Sequence, residues 1–141
     1  FSTVRNKEQI MASNKSFLAG LILCCLTQVA YADDLGLSKN FSKCMDKSDG
    51  VTVEMLGCIA AEAKLQDARL NKVYKDVMTE LSEPRKKELR DAQRAWVKYR
   101  DANCNFYNDP DGGTMASVRA SDCFMMTTAQ RVKELENFKE W

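Results

Sequence analysis

The chain has 141 residues, with 21 basic and 20 acidic side chains, a net charge of +1 and no histidine. That balance leaves no cationic excess for phosphate backbones, so nucleic acid is not an expected partner. The missing histidine excludes Ser-His-Asp and Cys-His catalysis, and no two cysteines form a short zinc-type pair once the N-terminal ones are set aside.

Residues 1–10 precede Met11 and read as an upstream extension without a structural role. Residues 11–32 read as a secretory signal peptide. Lys15 is the positive start, 17–26 is an uncharged run too short to span a bilayer, and Ala30-Tyr31-Ala32 is an A-x-A cleavage site. Cys24 and Cys25 leave with it. Leu23 and Cys24 are the wrong predecessors for a lipid-modified cysteine, so a soluble periplasmic or secreted protein is expected, with no stable membrane insertion after cleavage. Setting aside Arg5, Lys7, Lys15 and Glu8 changes the net charge from +1 to −1. Residues 33–141 are then one domain, small enough to gain from covalent staples.

The mature stretch opens with Leu35, Leu37, Phe41 and Cys44, consistent with a short helix before a turn at Lys47-Ser48-Asp49-Gly50. Thr52 is the expected N-cap of a long helix to about Leu81, with the stripe Leu56, Ala60, Ala63, Asp67, Leu70, Tyr74, Val77, Leu81. Ser82-Glu83-Pro84 ends it and starts another helix to about Tyr107. So short a link predicts that these two helices are antiparallel neighbours. The second carries Leu89, Ala92, Trp96, Tyr99, Asn103 and Phe106 as its apolar line. Asn108-Asp109-Pro110-Asp111-Gly112-Gly113 is the clearest loop. Thr114 can cap a last helix to about Phe138 through Val118, Met125, Ala129, Val132 and Leu135. No strand-type alternation is present. The fold class is all-α: an antiparallel bundle of two or three long helices plus a short N-terminal one.

Four cysteines remain: Cys44, Cys58, Cys104 and Cys123. An even number in a small exported chain implies two disulfides. Three connectivities are open. Local pairing, Cys44 with Cys58 and Cys104 with Cys123, is favoured because each pair flanks a turn.

Candidate residues follow from this layout. Asp67 interrupts an apolar stripe and needs a charge-assisted partner. Counting back from the turn places Arg100 opposite it, so an Asp67–Arg100 ion pair is expected to set helix register. Trp96, Tyr99, Leu70 and Tyr74 are expected in the core. Met115, Met125 and Met126 are soft donors in principle, but filling a helical core is the plainer use, and no metal or cofactor is implied. The loop fails the EF-hand pattern at its first and twelfth places. Its residues Asn108, Asp109, Asp111, Gly112 and Gly113 form the candidate partner-binding site, exposed and anchored between cysteines. The oligomeric state is not legible.

The ordered set of Cys44, Cys58, Asp67, Leu70-Asn71, Tyr74, Gln93-x-x-Trp96-x-x-Tyr99-Arg100-Asp101-x-x-Cys104, Gly112-Gly113, Cys123 and Thr128-x-x-Arg131-x-x-Glu134-Leu135 resembles the LprI-type lysozyme-inhibitor family. The resemblance covers residues 41–135 and implies a small exported helical domain, not an enzyme, with a protein partner such as lysozyme. The alternative is an envelope interaction or structural module without activity on lysozyme.

Overall fold

A computed structural model describes residues 35–138. The expected extension, 1–10, and the expected signal peptide, 11–32, lie outside the described residues. The described residues form four helices: α1 (Lys39–Lys47), α2 (Thr52–Glu80), α3 (Glu83–Phe106) and α4 (Thr114–Phe138). No strand occurs among them.

Local signals explain the boundaries. The Ser38 side chain caps α1 by accepting from the Phe41 N–H at 3.1 Å. Asp49 and Gly50 then turn the chain in left-handed conformations, at φ 46° and 75°. Val51, not Thr52, is the N-cap of α2, and the Thr52 hydroxyl instead reaches Thr114 on α4 at 3.5 Å. Ser82 is the N-cap of α3 with Pro84 in its first turn, where a missing N–H costs nothing.

The helix α4 is the common packing surface. Met125, Ala129 and Val132 are completely buried on it. Its main neighbour is α2, with α3 second. Thr52 meets Thr114 at one end, while Val77 packs with Val132 and Leu135 at the other, so α2 and α4 run parallel. The chain reverses at Ser82, yet α2 and α3 do not form the tightly packed pair that the short link predicts. They diverge across α4 and leave a groove between them. The α3 helix buries only Cys104 completely enough to count as core. Leu89, Trp96, Val97 and Arg100 are half-buried beneath it.

The apolar stripe of α2 is displaced in its first half. Leu70 and Val77 are buried as expected, but the face above them is Ile59, Glu62 and Gln66 rather than Leu56, Ala63 and Asp67. Spacings of three and four continue unbroken through Ile59, Glu62, Gln66, Leu70, Val73 and Val77, with two polar residues in line. Glu62 is 2% exposed because the protein supplies donors. The Ser38 hydroxyl donates to it at 2.6 Å, the Ser38 N–H at 3.0 Å and the Gln66 amide at 2.7 Å. Arg69 extends the cluster to the carbonyls of Leu35 and Gly36 and to Glu136. This layer separates a cluster around Ile59, Val118 and Met125 from one around Val73, Val77 and Val132.

Burial alone pushes the Glu62 carboxyl up, but the hydrogen bonds from Ser38 and Gln66 and the Arg69 charge outweigh it. The net position lies below the ordinary 4.5. A lowered folded-state pKa contributes stability above the unfolded value and loses it as pH falls through the folded one. The stability advantage of the parent over Glu62→Gln, measured by urea unfolding, should therefore narrow as pH drops below about 4.5. A gap that stays constant to strongly acidic pH contradicts this role.

Both disulfides have the local pairing: Cys44–Cys58 with Cα atoms 5.7 Å apart and Cys104–Cys123 at 5.4 Å. The first ties α1 to α2 and the second α3 to α4. Replacing Cys104 and Cys123 together by serine should cost about 3 kcal/mol in thermal or denaturant unfolding. A change under about 0.5 kcal/mol would show that helix packing already fixes the loop.

Candidate functional site

Two regions gather the residues singled out in the sequence. One is the end of the bundle that carries the 108–113 loop. Cys104 and Cys123 clamp its base. Within it, the Asp109 carboxylate accepts from the Asp111 N–H at 2.9 Å, and the Gly112 N–H donates to the Asp109 carbonyl at 3.0 Å. Gly113 has φ 63°, and a side-chain carbon on Gly112 would lie 2.9 Å from that of Ala116. The chain therefore needs both glycines to turn tightly into α4. The loop is exposed throughout. Phe106, which was expected on the apolar line of α3, is 82% exposed and touches Tyr107 edge-on at 6.0 Å. Val51 and Val53 at the start of α2 and Met115 at the start of α4 are also exposed at this end. The loop thus combines two exposed carboxylates, one of them also bracing the turn, with large apolar side chains on a covalently clamped base.

The second region is the groove between α2 and α3. One cavity of about 610 Å³ is lined by Asn71, Tyr74, Gln93, Trp96 and the stems of Arg90 and Arg94. Another of about 410 Å³ lies nearer the loop, against Ala60, Asn105 and Phe124. Arg100 is central here. Its guanidinium stacks 3.7 Å from the Phe124 ring centre and 5.0 Å from that of Trp96. It donates to Asp101 through Nε and Nη2, and to the Thr128 hydroxyl at 3.3 Å. The approach to Asp67 exists but is a single contact at 3.9 Å, and Asp67 is exposed. The expected Asp67–Arg100 pair therefore forms, but at the edge of ion-pair distance and with Asp67 exposed rather than buried, while Arg100 is held more closely by aromatic rings and by Asp101. Arg131, on α4, also approaches the ring of Trp96, 5.8 Å from its centre, with its Nε donating to Gln93 at 3.1 Å. Trp96 therefore docks α3 onto α4 between two cations.

Of the expected core residues, Leu70 is buried and Tyr74 and Trp96 are half-buried against the second cluster. Tyr99 is not core: it is 61% exposed, because the inward face of α3 runs through Gln93, Trp96, Arg100 and Cys104. Met125 fills the core, Met126 borders it and Met115 is exposed. Among the described residues, no group of three or more acidic or cysteine side chains is placed to hold a metal ion. Sequence reasoning missed the parts played by Arg131, Phe124, Glu62 and Gln66. Arg131 and Gln93 carried a signal, since each lies three or four residues from an aromatic or a carboxylate on one helix face.

The fold and these surfaces define a small all-α domain, braced by two disulfides and presenting an exposed loop clamped at its base. The chain belongs to the LprI family: the family described as "Lysozyme inhibitor LprI" matches residues 44–135, which includes both disulfides, the loop and the groove. The chain is also 30% identical over 97 residues to an uncharacterized protein of Rhizobium meliloti (strain 1021), across 59% of this chain and 70% of that one. No solved structure matches. Among the described residues, no helix is long and apolar enough to cross a membrane.

Arg100→Ala should lower stability by about 1–3 kcal/mol through lost stacking and hydrogen bonding, whereas Asp67→Ala should change it by less than about 0.5 kcal/mol. Chemical denaturation of the two variants measures this. Equal losses would restore the ion pair as the main function of Arg100.

Proposed function

We propose that the protein is an exported inhibitor of lysozyme-type muramidases, that residues 11–32 direct its export, and that the 108–113 loop enters the enzyme. Membership of a family described by lysozyme inhibition carries the proposal. The loop geometry supports it. Muramidases cleave through two carboxylates set in a cleft. A narrow braced projection fits a cleft without the ordering cost of a mobile one. Gly112 and Gly113 allow close backbone approach, Asp109 and Asp111 face outward to meet cations on the cleft rim, and Phe106 and Tyr107 supply apolar area beside them. The net charge of the exported part is too small for long-range steering, so short-range fit must provide the affinity.

The oxidised protein should slow lysis of cell-wall suspensions by at least one of several lysozyme types. Replacing Asp109 and Asp111 together by alanine should weaken inhibition about tenfold, equivalent to ~1.4 kcal/mol. No slowing at roughly 10⁻⁵–10⁻⁴ M, the millimolar-to-micromolar affinity scale of weak complexes, would remove the inhibitor reading and leave an envelope interaction module. Inhibition that the double variant retains would move the contact to another face.

A further inference from the structure

Packing leaves Tyr99 unexplained. It projects from the middle of α3 into a shallow cavity of about 440 Å³ between α3 and α4, on the side away from the α2–α3 groove. Tyr107 borders the same cavity at its other end and is also exposed. Eight residues separate the two phenols, a rise of ~12 Å along the helix. Asn103 lies midway, one turn from each and on the same face. Its amide makes only a long contact to the Cys123 sulfur, at 3.6 Å.

Helix α4 contributes Arg119, Asp122 and Gln130 to the cavity. Among the described residues, none of the three has a hydrogen-bond or ion-pair partner. Arg119 and Asp122 are three residues apart on one helix, the spacing at which such pairs commonly close, yet they stay beyond ion-pair distance. Partial desolvation raises the Asp122 carboxyl from its ordinary value, so the neighbouring protein withdraws some water from it without supplying a donor. The cavity thus offers one cation, one anion and the Gln130 amide, all uncommitted, together with the Asn103 amide in its one long contact to sulfur, between two exposed aromatic rings.

This combination selects a ligand chemistry. The opposed charges cancel, so the face has no preference for an anion or a cation. Amide, guanidinium and carboxylate groups together both donate and accept, which matches hydroxyl groups that do the same. Phenol rings present flat apolar faces with a polar tip, suited to the C–H face of a sugar ring. We propose that Tyr99, Asn103, Tyr107, Arg119, Asp122 and Gln130 form a binding site for a neutral oligosaccharide of two or three rings. The site is separate from the α2–α3 groove and does not depend on the lysozyme reading.

The test is calorimetric and NMR titration of the oxidised chain with the trisaccharides of N-acetylglucosamine, glucose, mannose and galactose. At least one should bind saturably at about millimolar affinity or tighter. Its shift changes should include the side-chain amides of Asn103 and Gln130. Tyr99→Ala and Asp122→Ala should each weaken it about tenfold, while Tyr99→Phe, which keeps the ring face, and Lys87→Ala, at the far end of α3, should leave it unchanged. Tyr99 and Asp122 are exposed, so the variants should unfold like the parent. No saturable binding by any of the four overturns the proposal. So does binding that survives Tyr99→Ala, or shift changes confined to other faces.

Discussion

The structure depends on one buried face, that of α4. Met125, Ala129 and Val132 are sealed against α2, and α3 is laid onto the same helix from beside it. A bundle in which one helix serves two others behaves differently from a hairpin of mutual neighbours. The two outer helices are free to diverge, and the groove between them follows. What holds α3 in place is chiefly a tryptophan flanked by two arginines, with Arg100 also stacked on Phe124, plus one disulfide. These contacts are directional and partly exposed, so they position α3 more than they bury it. The run of aromatics and arginines from Gln93 to Arg100 is therefore largely a docking strip. Its outward members, above all Tyr99, are left for other uses.

The polar layer does the equivalent work at the start of the domain. Glu62 and Gln66 occupy core positions only because Ser38, Gly36 and Arg69 complete their hydrogen bonds. Removing one partner of such a set strands the others without water. The layer thus fastens the segment before α1 to the middle of α2, while Cys44–Cys58 fastens the end of α1 to its beginning. The N-terminal stretch is bound at both ends to the same helix. The second disulfide clamps the base of the loop in the same way, so each disulfide joins two helices that are consecutive in the chain.

Much of the fold was legible in the sequence. The breaker at Ser82-Glu83-Pro84, the glycine loop and the spacing of Met125, Ala129 and Val132 place the long helices and the buried face of α4. Cysteines flanking turns point to the pairing observed. The errors share one cause. A helix carries several plausible stripes, and apolar content was used to choose among them. On α2 that choice rejected Glu62 and Gln66, whose burial depends on partners from a distant segment. On α3 it preferred Tyr99 and Phe106 to Gln93 and Arg100, because the contribution of cation stacking is invisible until α4 is in place. The Asp67–Arg100 expectation had the correct level along the hairpin but assumed that α2 and α3 pack together. The exposed loop depends only on local turn chemistry, which the sequence displays directly. Its proposed role in binding rests on its chemistry and on the family, not on its fold.

Native-state hydrogen exchange tests most directly whether α4 is the element on which the other helices depend. The amides of residues 124–132 should exchange only through global unfolding, together with those of residues 70–77 on α2. The amides of residues 86–98 on α3 should open at distinctly lower free energy, since that helix can lift away while the α2–α4 seam persists. Equal protection of α3 and α4, or earlier opening of residues 124–132, would contradict this account.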